Sequence, residues 1–169
     1  MNLVKKLLAL GVLLFLAVPG QAQDYKFHSY FFHNFAKYTQ WPTEYRSGDF
    51  VIGILGDSKI RQPLEQLARE KQIRSQKIVV KEYSSIDDIG WCHILFIPFD
   101  RSTDLQGVLG KVQGQPTLVV TEKPGLGRQG SGINFVLVNG RWQFELNRSA
   151  VENAKLKVSS ELSRLAIQI

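Results

Sequence analysis

The stretch Ile133–Val138, Asn139-Gly140, Arg141–Leu146 limits most tightly what this chain can become. Two runs rich in β-branched and aromatic residues flank an Asn-Gly pair, the dipeptide favoured in type I′ turns because both central residues take positive φ. A two-residue turn fixes the register of a hairpin. It sets Leu137 opposite Trp142, Phe135 opposite Phe144 and Ile133 opposite Leu146, all on one face. That face is apolar and has to be buried. The other face sets Val136 opposite Gln143 and Asn134 opposite Glu145, an amide and a carboxylate able to hydrogen-bond across the strands.

The chain before the hairpin alternates short apolar runs with amphipathic ones. Phe50–Leu55, 77–83 and 117–121 read as strands, and 93–99 is so uniformly apolar that it reads as a central one. A helix over 26–40 carries Phe27, Phe31, Phe35 and Tyr38 at helical spacing, with Phe32 off that stripe, and Trp41-Pro42 ends it. Ile60, Leu64, Leu67 and Ala68 trace a second helix with Pro63 in its first turn. Leu105, Val108, Leu109 and Val112 trace a third over 104–112, with Ser102 or Thr103 as its cap. After the hairpin, Asn147 or Ser149 caps a short helix, and Ser159 or Ser160 caps a last one. This order predicts a single three-layer α/β/α domain: a mixed, mostly parallel sheet with a C-terminal β-hairpin plus helix. The link 84–92 is short for a parallel crossover, so one helical turn around Ile86 to Ile89 has to suffice.

The first residues follow a different logic. Lys5 and Lys6 precede an apolar run from Leu7 to Val18. Pro19-Gly20 breaks the run, and Gly20-Gln21-Ala22 offers small residues for cleavage. This is the pattern of a secretory signal over 1–22, with the mature domain over 23–169. The apolar run is too short to span a bilayer, so the protein is not itself membrane-spanning. Removing the two lysines lowers the formal charge from +6 to +4. The compact n-region points to a bacterial periplasm.

The chemical candidates are few. Gly125-Leu126-Gly127-Arg128-Gln129-Gly130 fits G-x-G-x-x-G, but a strand follows instead of a helix, so it reads as a mobile surface loop and not as a dinucleotide site. Cys92 and His93 are adjacent. On a strand they point to opposite faces and cannot form a thiol–imidazole dyad. His28 and His33 stand about 140° apart around a helix and cannot share a metal. Asp87-Asp88 reads as a solvated turn. With one cysteine and three histidines in the chain, neither a disulfide framework nor a metal site is expected, and no cofactor is implied. The positive charge is spread without a basic block, which argues against nucleic-acid binding.

Taken together, several segments resemble the YfiR-like family of small periplasmic proteins. They are Phe35-Ala36-Lys37-Tyr38-Thr39-Gln40-Trp41-Pro42, Ile52-Gly53-Ile54-Leu55-Gly56, Cys92-His93-Ile94-Leu95-Phe96-Ile97, Gly132-Ile133-Asn134-Phe135, Phe144-Glu145-Leu146-Asn147 and Leu156-Lys157-Val158-Ser159-Ser160. Their order covers nearly the whole mature chain. The resemblance implies an α/β regulator whose best-known branch restrains an inner-membrane diguanylate cyclase, while other members accompany sensor kinases or outer-membrane receptors. It gives Cys92, His93, Asn134, Glu145 and Asn147 the standing of structural motif residues. That branch carries cysteine pairs able to form disulfides; this chain has only Cys92, so intramolecular redox control is not available to it.

The expected function is therefore a non-enzymatic periplasmic regulator that binds an inner-membrane sensor protein, with a homodimer as one possible form. Burial of aromatic side chains would drive such binding, with Phe31, Phe32, Tyr38 and Trp41 as candidates unless they are core. The alternative is a small-solute-binding module in which Asp57, Arg101 and Glu122, at the carboxyl ends of strands, clamp a polar ligand.

Overall fold

The computed structural model describes residues 21–169, so residues 1–20 of the expected export segment lie outside it. In chain order the elements are α1 (Gln21–Tyr38), β1 (Thr39–Gln40), β2 (Phe50–Leu55), α2 (Arg61–Glu70), β3 (Gln72–Ile73) and β4 (Gln76–Tyr83). Then come β5 (Ile94–Ile97), α3 (Leu105–Lys111), β6 (Leu118–Thr121), β7 (Ile133–Val138) and β8 (Arg141–Leu146). The chain closes with α4 (Arg148–Asn153), β9 (Lys157–Val158), α5 (Ser160–Leu165) and β10 (Ile167–Gln168).

One sheet of eight strands runs β10-β8-β7-β6-β5-β2-β4-β3. The central strands β4, β2, β5, β6 and β7 are parallel. β8 is antiparallel to β7, β10 parallel to β8, and β3 antiparallel to β4 over Gln76 and Lys77 alone. A separate pair, β1 with β9, ties the end of α1 to the C-terminal region. Side chains alternate across the sheet. Ile52, Ile54, Ile94, Phe96, Val120 and Phe135 face a core shared with Phe32 and Phe35 of α1, Leu64 and Leu67 of α2 and Leu162 of α5. Val51, Leu55, Leu95, Ile97 and Val119 face a second core closed by Leu105 and Val108 of α3. Helices on both faces make the expected three layers.

The link from β4 to β5 carries no longer helix, only a single turn where one is expected: the Ile89 N–H donates to the Ile86 carbonyl at 3.2 Å. β5 pairs with β2, so the chain crosses one intervening strand and returns along its length. Extended at roughly 3.3 Å per residue, residues 84–93 reach on the order of 30 Å, enough for that path. A turn shapes it: the Asp88 carboxylate accepts from the Ser85 N–H at 3.1 Å and from the Ser85 hydroxyl at 2.8 Å. Gly53 makes room for this link, because a Cβ there would stand 2.7 Å from the Tyr83 ring and 3.2 Å from Cys92 Sγ.

The hairpin forms in the expected register, with Asn139 at φ 51° and Gly140 at φ 73°. Its apolar face is buried only in part. β6 partners β7 just to Asn134, so the tip overshoots the sheet and Leu137 is 59% exposed. The Asn147 side chain caps α4 by accepting from the Ala150 N–H, and Ser159 caps α5 through the Leu162 N–H. Neither Ser102 nor Thr103 caps α3, because residues 99–104 wind a 3-10 turn that runs directly into it.

α1 departs most from its expected packing. Its buried stripe is His28, Phe32, Phe35 and Ala36, while Phe27 is half exposed. Aromatics stand on more than one side of this helix, so spacing alone did not choose the face. The sheet did, by offering Phe96, Phe135 and Phe144 to Phe32 and Phe35.

Candidate functional site

The polar chemistry of an open parallel sheet collects beyond the carboxyl ends of its strands. Here β2 leads to β4 on one side, and β5 leads to β6 on the other, so a topological switch point lies between β2 and β5. Glu122 follows β6 directly. Leu118, Val120 and Glu122 alternate onto the α1 face, which turns the carboxylate beneath that helix. It is 9% exposed. Oε1 accepts from the Tyr25 hydroxyl at 2.9 Å and from the Phe99 N–H at 2.9 Å, and Oε2 stands 3.9 Å from His28 Nδ1. Burial raises the Glu122 carboxyl above its usual 4.5. The two donated hydrogen bonds pull it back down, and nearby Asp100 adds to the rise. The Tyr25 phenol is raised as well, first by burial and then by the charge of Glu122. His28 is 1% exposed, stacked on Phe135 at 4.2 Å and edge-on to Trp142 at 4.6 Å.

A second polar centre lies at the opposite end of the strands. His93 Nδ1 accepts from the Val51 N–H at 3.0 Å, and Nε2 meets the Tyr45 carbonyl at 2.9 Å. These partners require the neutral ring with its proton on Nε2. The ring is stacked on Phe50 at 4.2 Å and edge-on to Trp91 at 4.3 Å. Burial lowers its pKa, and the bond to Tyr45 offsets part of that. Cys92 points to the other face, where burial pushes its thiol from 9.0 up to about 12. The pair forms no dyad. Cys92 should therefore resist iodoacetamide in the folded protein at mildly alkaline pH and be alkylated fully in denaturant, read as a one-adduct mass shift.

A third cluster fastens the hairpin. The Thr121 hydroxyl donates to Asn134 Oδ1 at 2.7 Å, and Asn134 Nδ2 donates to Glu145 Oε2 at 2.9 Å. Asn147 Nδ2 donates to the Gly127 carbonyl at 2.9 Å. The loop 125–130, expected to be mobile, is thus pinned. A Cβ on Gly127 would stand 2.7 Å from Glu145 Oε2, so a larger residue there would push that carboxylate away from Asn134.

The YfiR/HmsC-like family model matches residues 25–167. The chain belongs to that family. No curated protein matches it. Among the described residues of this YfiR/HmsC-like domain, no helix is long and apolar enough to cross a membrane, and no group of three or more His, Cys, Asp or Glu is placed to hold a metal.

The remaining expected site residues divide sharply. Phe32 is fully buried and Trp41 is 4% exposed; the Trp41 indole N–H donates to the Pro116 carbonyl at 2.8 Å. Both are core, so neither presents a docking surface. Phe31 and Tyr38 are half-buried at the rim of α1. The solute clamp does not assemble either. Arg101 pairs with Asp104 at 2.6 Å and reaches the Ser84 carbonyl, whereas Glu122 is taken up by Tyr25 and Phe99, and Asp57 is exposed. Phe27, on the expected aromatic stripe, and Tyr30, outside every expected site, are 50% and 55% exposed on α1 of this YfiR/HmsC-like domain.

Proposed function

We propose that this YfiR/HmsC-like protein is an exported periplasmic regulator. It binds the periplasmic part of an inner-membrane sensor, a diguanylate cyclase or a sensor kinase, and modulates its output without catalysing a reaction. The family match over residues 25–167 carries this reading. Two features of the molecule support it. The groups that would do chemistry are taken up internally: Cys92 is buried, His93 is bonded to backbone on both nitrogens, and Glu122 is held by Tyr25 and Phe99. Large apolar side chains stand instead on the surface, Phe27 and Tyr30 on α1 and Leu137 on the hairpin tip, of the kind that anchor protein interfaces. Half-buried Phe31 and Tyr38 border that face of α1. Residues 1–22 serve export in this reading and are removed.

Crosslinking in whole cells followed by mass spectrometry tests it. Recovery of an inner-membrane protein with a periplasmic sensor part is expected, together with a shift in cyclic-di-GMP or in kinase output on deletion of the gene. If no such protein is recovered and both outputs stay level, the proposal fails. A protein recovered from the cytosol with residues 1–22 still attached would sink the export part.

A further inference from the structure

Between the end of α2 and the start of β4 the chain gathers positive charge. Arg69, Lys71, Arg74 and Lys77 stand there against one acid, Glu70, and all five are exposed. Lys71 closes α2, its N–H donating to the Leu67 carbonyl, and β3 then folds back on the first residues of β4. A surface hollow is lined by Arg69, Lys71 and Lys77 together with Glu70. α1 packs against β3 and brings Lys37, in its last turn, to the same corner. Burial lowers the pKa of His33 on α1, and Lys71 and Lys37 lower it further, so both ammonium groups lie near that ring. The loop that accepts from Gln76 adds Arg46 against Glu44 and Asp49, which still leaves the corner positive. Among the described residues none of the four cations of 69–77 is held in a salt bridge. A helix end favours nearby cations, which accounts for Arg69 and Lys71. It does not account for Arg74, at φ 56° in the β3–β4 turn, where the β7–β8 turn uses Asn139. Asparagine and glycine suit that conformation better, so the turn tip carries a cation against local preference.

We propose that this corner rests on an anionic phospholipid surface, with Arg69, Lys71, Arg74 and Lys77 set against its headgroups. The chemistry selects lipid over an acidic protein. Large apolar side chains anchor protein interfaces. Among the described residues the exposed ones stand elsewhere, Phe27, Tyr30, Phe99, Leu137 and Leu165, while Ile73 and Ile78 at this corner are buried. Long cationic arms without fixed partners match a fluid surface whose charges move, and each adds attraction within a Debye length. The corner lies at the amino end of β4, and the hairpin tip lies beyond the carboxyl end of β6, which runs parallel to β4 through β2 and β5. A domain seated this way holds its hairpin tip away from the lipid. The inference goes beyond the regulator reading, because vesicles holding no protein test it.

Cosedimentation of the mature chain with phosphatidylglycerol vesicles, and with phosphatidylcholine vesicles, is the experiment. Binding to the first and not to the second is expected at low salt, with a steep fall as salt rises. Lys71→Gln combined with Lys77→Gln should weaken binding about 25-fold, from about fivefold for each charge near an anionic surface. Arg128→Gln combined with Arg141→Gln removes the same charge from exposed positions toward the other edge of the sheet and should leave binding within about twofold. Should the lysine pair not fold, Arg74→Asn decides: asparagine suits the turn, and a loss of about fivefold is expected. The proposal is overturned by no binding to phosphatidylglycerol, by equal binding to phosphatidylcholine, by equal losses in the two double variants or by no loss in Arg74→Asn. Binding to soluble polyglutamate with none to vesicles overturns it in favour of an acidic polypeptide.

Discussion

Replacing His93 by alanine should lower the stability of the domain by about 3–5 kcal/mol, seen as a fall in the urea midpoint at unchanged slope. Three losses add up. The Val51 N–H and the Tyr45 carbonyl each lose a partner inside the protein, and a cavity opens between Phe50 and Trp91. His93 also gives the domain a signed pH response. Its folded pKa lies below the unfolded value of 6.5, so the folded state favours the neutral ring. The stabilisation is present in full above 6.5 and is lost as the pH falls from there toward the lowered folded value, at no more than about 1.4 kcal/mol per pH unit. Stability measured across that window should therefore drop on acidification in the unmodified protein and drop less in His93→Ala. Glu122 acts with the opposite sign. Its raised pKa means stability falls as pH rises from 4.5 toward its folded value, so comparing the two proteins at each pH isolates the histidine.

Phe35→Ala should cost a similar amount, about 3–5 kcal/mol, a large share of the roughly 5–15 kcal/mol by which domains are stable. Phe35 is fully buried, and its ring lies 5.0 Å from that of Phe144 and 5.7 Å from that of Phe135. It joins α1 to the hairpin, so its loss loosens both. Phe27→Ala on the same helix should change stability by no more than about 0.5 kcal/mol, because Phe27 is half exposed. Paired thermal melts read the contrast. Phe27→Ala is then the fit variant for probing the surface that the regulator reading requires, with its fold intact.

What the sequence disclosed depended on how local the controlling physics was. The hairpin register followed from Asn139-Gly140, because a two-residue turn leaves no slack. The separation of Cys92 from His93 followed from alternation along an extended chain. The caps at Asn147 and Ser159 followed from side chains that reach their own helix. Phe32 and Trp41 did not follow, because their burial depends on elements far along the chain: Phe96 and Phe135 for one, Pro116 for the other. Strand ends could be listed together as a ligand site, yet listing did not say which way each side chain turns. Parity would have helped for Glu122, which sits two residues beyond Val120 and shares its face. Arg101 lies in an irregular turn where parity says nothing, and its near neighbour Asp104 takes it first.

The outer flank of β4 is an edge of the sheet for most of its length. β3 covers it only at Gln76 and Lys77, and along the remainder Lys81 and Glu82 stand exposed. A strand from another molecule that added there would crowd these charges and strip their water, at a cost that backbone pairing must overcome. The sheet therefore ends in a guarded margin. A protein so bounded resists growing into filaments through this flank, and Lys81→Val combined with Glu82→Val should raise its tendency to aggregate on concentration, measured by light scattering.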